Sequence, residues 1–155
     1  MVDDDDLLAA LGAASDAIRR ALEATSDWGT TGGVPGQHHS DLAADAAAVE
    51  VLDGAGLAVF SEESGWTARG RDVWVVVDPL DGSTNAARGV SWWATSLCAV
   101  DAAGPRAALV DDLVHHVRTT AIRGGGSHRD GRALRPSGCS EVGRAIVGLN
   151  GLPAR

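Results

Sequence analysis

Apolar residues at Leu8, Leu11, Ile18 and Leu22 recur at the spacing of one helix face. This pattern predicts an amphipathic helix from Leu7 to about Thr25. The acidic run at residues 3–6 just before it suits the positive end of a helix. Residues 30–37 are rich in Gly and Thr, contain Pro35 and read as a loop. A second helix is expected from Ser40 as N-cap, with Leu42, Val49 and Leu52 on its inner face and Gly54 near its end. The period then shortens to that of strands, expected around 57–60, 73–77, 94–101, 106–111, 117–123 and 145–149. Turn chemistry at 101–104 and at Asp130-Gly131 separates some of them. Two helices followed by a mostly antiparallel run of strands predict an α+β domain, helices layered over a twisted sheet. Neither an internal repeat nor a low-complexity linker interrupts the chain, so residues 1–155 read as one domain.

Composition narrows the function classes. The 155 residues, 45% hydrophobic and 22% charged, suffice for a sizeable core. A net charge of -8 argues against nucleic acid or an anionic membrane as partner, because both are polyanions. All thirteen basic residues are arginine, which coding bias explains as readily as function. Cys98 and Cys139 form no C-x-x-C pair, which argues against a zinc or redox motif, and Cys98 lies in an apolar run that predicts burial. No stretch has the length of a membrane span and the start is acidic rather than basic, so a cytoplasmic location is the default expectation. The adjacent pairs His38-His39 and His115-His116 would point to opposite faces of a strand and make poor chelates. Gly124-Gly125-Gly126 lacks the Lys-Ser/Thr of a P-loop and reads as a hairpin bend. The five tryptophans read as packing; Trp92-Trp93 are placed to border a pocket, with burial the favoured expectation.

The chemistry concentrates in Asp78-Pro79-Leu80-Asp81-Gly82-Ser83-Thr84-Asn85, directly after the apolar run 73–77. Two carboxylates three residues apart thus lie at the carboxyl end of a strand, on a turn stiffened by Pro79 and relaxed by Gly82. Ligands of α/β sheets bind at such ends. Two Asp side chains, a carbonyl and nearby hydroxyls suit an oxygen-preferring cation such as Mg²⁺. Gly-Ser-Thr can open a helix whose free N–H groups face a phosphate. Taken alone, so short a motif more often marks an ordinary acidic turn. A second acidic element, Ser61-Glu62-Glu63-Ser64-Gly65, follows the apolar run 57–60 and would approach from a neighbouring strand end.

Together these stretches resemble the inositol monophosphatase family of Mg²⁺-dependent phosphatases, which carry an E-E pair followed by D-P-[IL]-D-G-[ST]-[ST]-N. The resemblance continues through residues 89–97, where Ser91 replaces the usual Pro of G-x-P-x-x-x-x-S. It extends to residues 121–126 and 129–132, similar to the family's A-x-x-G-x-G-A-x-x-[ND]-G hairpin. It implies a Mg²⁺ (or Mn²⁺) cofactor held by Glu62, Asp78, Asp81 and the Leu80 carbonyl, and hydrolysis of a small phosphorylated metabolite by a two-metal mechanism. Glu62 and Ser83, the latter standing where the family usually has Thr, would orient the attacking water. Gly82, Ser83 and Thr84 would contact the phosphate, and Glu63 and Asp45 would support the metal region. Around Asp45, residues 40–45 depart from the usual D-x-V-T-x-x-D. The family's W-D-x-A-A segment, with a further metal ligand, has no counterpart here, so the chain is expected to match only the N-terminal half of the fold. A non-catalytic remnant or cation-binding module is the alternative. Inositol, histidinol, fructose and 3′-phosphoadenosine phosphates all remain open as substrates. The expected last strand, with Val147 and Leu149 and with Leu152 beyond it, would be left uncovered, so a homodimer or larger association is expected.

Overall fold

The computed structural model describes residues 2–67 and 70–148. Helix α1 (Asp4–Ala24) is followed by α2 (His39–Gly54), strands β1 (Ala58–Ser61), β2 (Gly65–Thr67) and β3 (Trp74–Asp81), and the short helix α3 (Ser83–Ala87). Strands β4 (Ala94–Asp101), β5 (Gly104–Asp112), β6 (Val117–Ile122), β7 (Gly126–Arg129) and β8 (Arg132–Ala133) complete one sheet, in the order β2-β1-β3-β4-β5-β6-β7-β8. Only the β1–β3 pair is parallel; every other neighbour is antiparallel. The expected α+β layering is therefore the observed architecture.

Both long helices lie on one face of the sheet, α1 over β4 and β5 and α2 over β1 and β3. Alternation along the strands explains the core. Val75 and Val77 of β3, Leu97 and Ala99 of β4 and Ala107 and Leu109 of β5 point to that face and are buried against Leu7, Leu11, Ile18, Leu22, Ala44, Ala48 and Leu52. Helix α1 begins three residues before the expected start because Asp3 caps it, its carboxylate accepting from the Asp6 N–H at 2.7 Å. Helix α2 is capped at His38, whose N–H donates to the Asp41 carboxylate at 2.7 Å, so Ser40 lies buried inside the first turn rather than at the cap. Its inner face is Ser40, Asp41, Ala44, Asp45, Ala48 and Leu52, and Leu42 is exposed. Small alanines let α2 approach the sheet closely, so the large Leu42 was a misleading marker of the packed side.

The other face of the sheet carries no helix among the described residues. Phe60, Trp66 and Trp74 pack along it as tilted rings with centroids 4.9 and 5.3 Å apart. The strand expected at 145–149 is absent over 145–148, which follow a single 3-10 turn at Val142–Arg144 with Ile146 and Val147 exposed. Residues 145–148 pair with no described strand of the sheet, which leaves this short run to meet solvent instead. Leu149 and Leu152 lie outside the described residues. The histidine pairs are not on strands: His38 and His39 open α2, while His115 and His116 form the turn after β5. Gly124-Gly125-Gly126 does make the bend between β6 and β7. No helix is long and apolar enough to cross a membrane among the described residues.

Candidate active site

The site is built where β1 and β3, parallel neighbours, end side by side. Ser61 pairs with Val77, and the Glu62 N–H donates to the Val77 carbonyl at 2.9 Å, so Glu62 leaves β1 beside Asp78. Simple alternation would place Asp78 and Asp81, an odd number of residues apart, on opposite faces. The register prevents this. Asp78 pairs with Ser96 and Asp81 with Ala94, so β3 spends one more residue than β4 over the same stretch, a bulge that re-aims the side chains. The buried Thr95 hydroxyl donates to the Asp78 carbonyl at 3.1 Å and ties the bulge to β4.

Glu62, Glu63, Asp78, Leu80, Asp81, Gly82 and Ser83 all line one cavity of about 370 Å³. A larger cavity of about 680 Å³ shares Asp81, Gly82 and Ser83 and continues past Thr84 and Asn85 to Trp92 and Trp93. The carboxylates and the Gly-Ser-Thr turn are thus adjoining parts of one cleft. Gly82 sits in the left-handed region at φ 89° and opens α3. A Cβ there would lie 2.8 Å from the Trp92 carbonyl oxygen, so the turn approaches the 92–93 backbone as only glycine permits. The N–H groups of the first α3 turn have no acceptors within the helix.

Burial, followed by the charges of Glu62 and Asp81 and a hydrogen bond with Glu62, pushes the Asp78 carboxyl up to about 7, against the opposing Leu80 N–H. Burial also raises the Glu63 carboxyl, opposed by the Gln37 amide and reinforced by Asp41, Glu62 and Asp45. No basic residue lines the carboxylate cavity among the described residues. An all-oxygen set with uncompensated negative charge is the donor chemistry that fits a divalent cation such as Mg²⁺. It is not a closed cage: among the described residues no three His, Cys, Asp or Glu side chains gather tightly enough to hold a metal ion. Glu62 and Asp78 meet, and Asp81 and the Leu80 peptide face the same space.

Asp45 lies behind the cavity. It accepts a hydrogen bond from the buried Ser61 hydroxyl, whose oxygen accepts from the Glu63 N–H at 3.2 Å. Two further residues escaped the sequence reading. Gln37 donates to the Glu63 carboxylate at 2.5 Å, and Asp41, almost fully buried, lines the cavity with its Oδ1 unpartnered. Asp41 was visible as an acid near the start of a helix, but only the chain path of the 34–37 loop brings Gln37 over the site. The expected burial of Trp92 is overturned: it is 80% exposed, while its neighbour Trp93 packs on Trp28 with ring centroids 6.4 Å apart.

Comparison with known proteins identifies the family and the fold. The model of the inositol monophosphatase family matches residues 10–150. Among curated relatives, the Nus factor SuhB of Pseudomonas aeruginosa is 38% identical over 101 residues, 63% of this chain and 37% of its own. The fructose-1,6-bisphosphatase/inositol-1-monophosphatase of Archaeoglobus fulgidus is 46% identical over 59 residues, 38% of this chain and 23% of its own. The inositol monophosphatase II of Staphylococcus aureus MSSA476 superposes with a TM-score of 0.71 at 22% identity, covering 94% of this chain and 55% of that one, and so shows the fold. This chain therefore matches about half the length of that solved relative, and less of the curated ones. With the family model spanning most of its length, the chain belongs to the inositol monophosphatase family.

Proposed function

We propose that this cleft serves divalent-cation-dependent hydrolysis of a small phosphate monoester of the inositol-monophosphate type. The observation that carries the reading is the convergence of Glu62, Asp78, Leu80 and Asp81 on a cavity that continues into the Gly82-Ser83-Thr84 turn. Glu62, Asp78, Asp81 and the Leu80 carbonyl would hold Mg²⁺ or Mn²⁺. Bound there, the cations supply positive charge for the phosphoryl oxygens and the departing alcohol oxygen. The protein's own groups do the rest. Ser83, which lines both cavities, and Glu62 in the carboxylate cavity would orient water toward phosphorus, and the Glu62 carboxylate would accept its proton. The N–H groups of the α3 turn face the phosphate oxygens. The test is turnover of a panel of phosphomonoesters with Mg²⁺ and with chelator. Release of phosphate that needs the metal and disappears in Asp81→Ala supports the reading, and metal-independent release rejects it.

A second reading is a cation-binding module of the same fold without turnover, which needs the meeting of Glu62 and Asp78 but no phosphate contact at the α3 turn. Mg²⁺ binding without phosphate release from any ester would select it. The site chemistry contains nothing specific to a particular cell compartment; a cytoplasmic setting belongs to the proposal.

A further inference from the structure

Thr95 is a polar residue in an apolar row. On β4 it shares the helix-covered side with Leu97 and Ala99 and is buried as they are. A buried hydroxyl needs an acceptor, where a valine of nearly the same shape would need none. The one hydrogen bond of this hydroxyl among the described residues runs to the Asp78 carbonyl at 3.1 Å. Thr95 stands opposite the bulge itself: between the Asp78–Ser96 and Asp81–Ala94 pairs, β4 has only Thr95 while β3 has Pro79 and Leu80. Pro79 has no N–H for the ladder, and Pro79 and Leu80 are both buried where strict alternation would send one to the other face. Asp78 is therefore held from two sides. Its carbonyl accepts from Thr95, and its carboxyl accepts from the Leu80 N–H. Asp78, Leu80 and Asp81, all within this bulge, supply every expected cation ligand except Glu62.

We infer that Thr95 is a positioning residue for the cation: its hydroxyl holds the bulge in the form that suits Mg²⁺ over Ca²⁺. This rests on the cation-site part of the function proposed above. Mg²⁺ demands short oxygen distances in a near-octahedral array, whereas Ca²⁺ accepts longer and less regular ones. Ligands on a pinned bulge meet the first demand, and ligands on a slack one still serve Ca²⁺. The hydroxyl touches neither cation nor substrate and acts through the Asp78 backbone, as the outer partners of metal ligands do.

The test is calorimetric titration of the 155-residue chain with Mg²⁺ and with Ca²⁺, alongside urea melts. Thr95→Val keeps the shape and removes the donor, and Thr95→Ser keeps the donor. Leu7→Val is the control for lost core packing: Leu7 is buried in the first turns of α1, where Asp4 meets Arg106 near the opposite end of β5 from the site. Thr95→Val should bind Mg²⁺ about tenfold more weakly and Ca²⁺ with nearly unchanged affinity. Thr95→Ser should recover most of the Mg²⁺ affinity, and Leu7→Val should lower the urea midpoint with both affinities unchanged. Mg²⁺ affinity in Thr95→Val equal to wild type overturns the inference and leaves the cation site standing. Equal weakening of Mg²⁺ and Ca²⁺, the same Mg²⁺ loss in Leu7→Val, or a Thr95→Ser variant as weak as Thr95→Val overturns it as well. Binding of neither cation by wild type removes the cation site and the inference together.

Discussion

The Ser61 hydroxyl donates to the Asp45 carboxylate, joining the middle of α2 to the last residue of β1 immediately before the acidic pair. Because the same hydroxyl oxygen accepts from the Glu63 N–H, Asp45 fixes the path on which Glu62 and Glu63 leave the strand. Asp45→Ala should leave a buried hydroxyl short of its acceptor and cost about 1–3 kcal/mol, read as a lower urea midpoint. Asp45→Asn retains an acceptor and should cost less. An unchanged midpoint in Asp45→Ala would show that the Ser61 contact does not hold the loop.

An ion-pair network secures α1 to β5 and β6. The buried Asp111 of β5 accepts from Ser15 at 2.7 Å, from Arg118 Nη2 at 2.7 Å and from Arg19 at 3.1 Å. Burial pushes the Asp111 carboxyl up, but the Ser15 hydroxyl and the Arg118 and Arg19 charges outweigh it and hold it below the ordinary carboxylate value of 3.8. A carboxyl depressed in the folded state contributes stability above its unfolded pKa and loses it as pH falls through the folded one. Asp111→Asn should therefore flatten the loss of stability below about pH 4, relative to wild type, in thermal melts. Arg118→Met should cost about 2–3 kcal/mol at neutral pH, because the buried Asp111 loses one of its two guanidinium partners and keeps only Arg19. Parallel acid profiles for wild type and Asp111→Asn would contradict the first expectation.

Glycine positions separate strain from contact. Gly82 and Gly89 both have positive φ, 89° and 71°, but a Cβ at Gly82 meets the Trp92 and Trp93 backbone while one at Gly89 meets nothing within 4 Å. Gly89→Ala should cost about 1 kcal/mol from backbone strain alone. Gly82→Ala should cost more and also weaken phosphate binding, because the turn must move away from residues 92–93. Equal effects of the two substitutions on stability and on phosphate affinity would dismiss the close approach.

The helix-free sheet face bears Phe60, Trp66 and Val110 at 38, 42 and 46% exposure, on three different strands. Exposed aromatic surface of this kind favours association. Sedimentation should show concentration-dependent dimers or larger species, reduced by Phe60→Glu. A monomer at all concentrations would contradict this.

Much of the fold and site was legible because it rests on local rules. Periodicity located both long helices and five of the strands, and the D-P-L-D-G-S and E-E stretches marked the strand ends that meet at the cleft. What the sequence hid is tertiary. Strands β2, β7 and β8 are too short to show a period, and β3 runs on through Pro79 to Asp81 because its bulge absorbs the proline. Leu42 looked like core, yet alanines form the packed side of α2. Trp92 looked like packing, yet the turn that fixes its backbone leaves its ring outside. The Gln37 contact with Glu63 spans 26 residues and has no local signature.

The central claim is that the carboxylates at the ends of β1 and β3 form a cation site. Calorimetric titration of the 155-residue chain with Mg²⁺ and Mn²⁺ tests it most directly, with Asp78→Asn, Asp81→Asn and the double variant alongside. Wild type is expected to bind saturably, with binding weakened in each single variant and lost in the double, and with protons released because the raised Asp78 carboxyl must ionise to serve as a ligand. Equal binding by wild type and the double variant would contradict it.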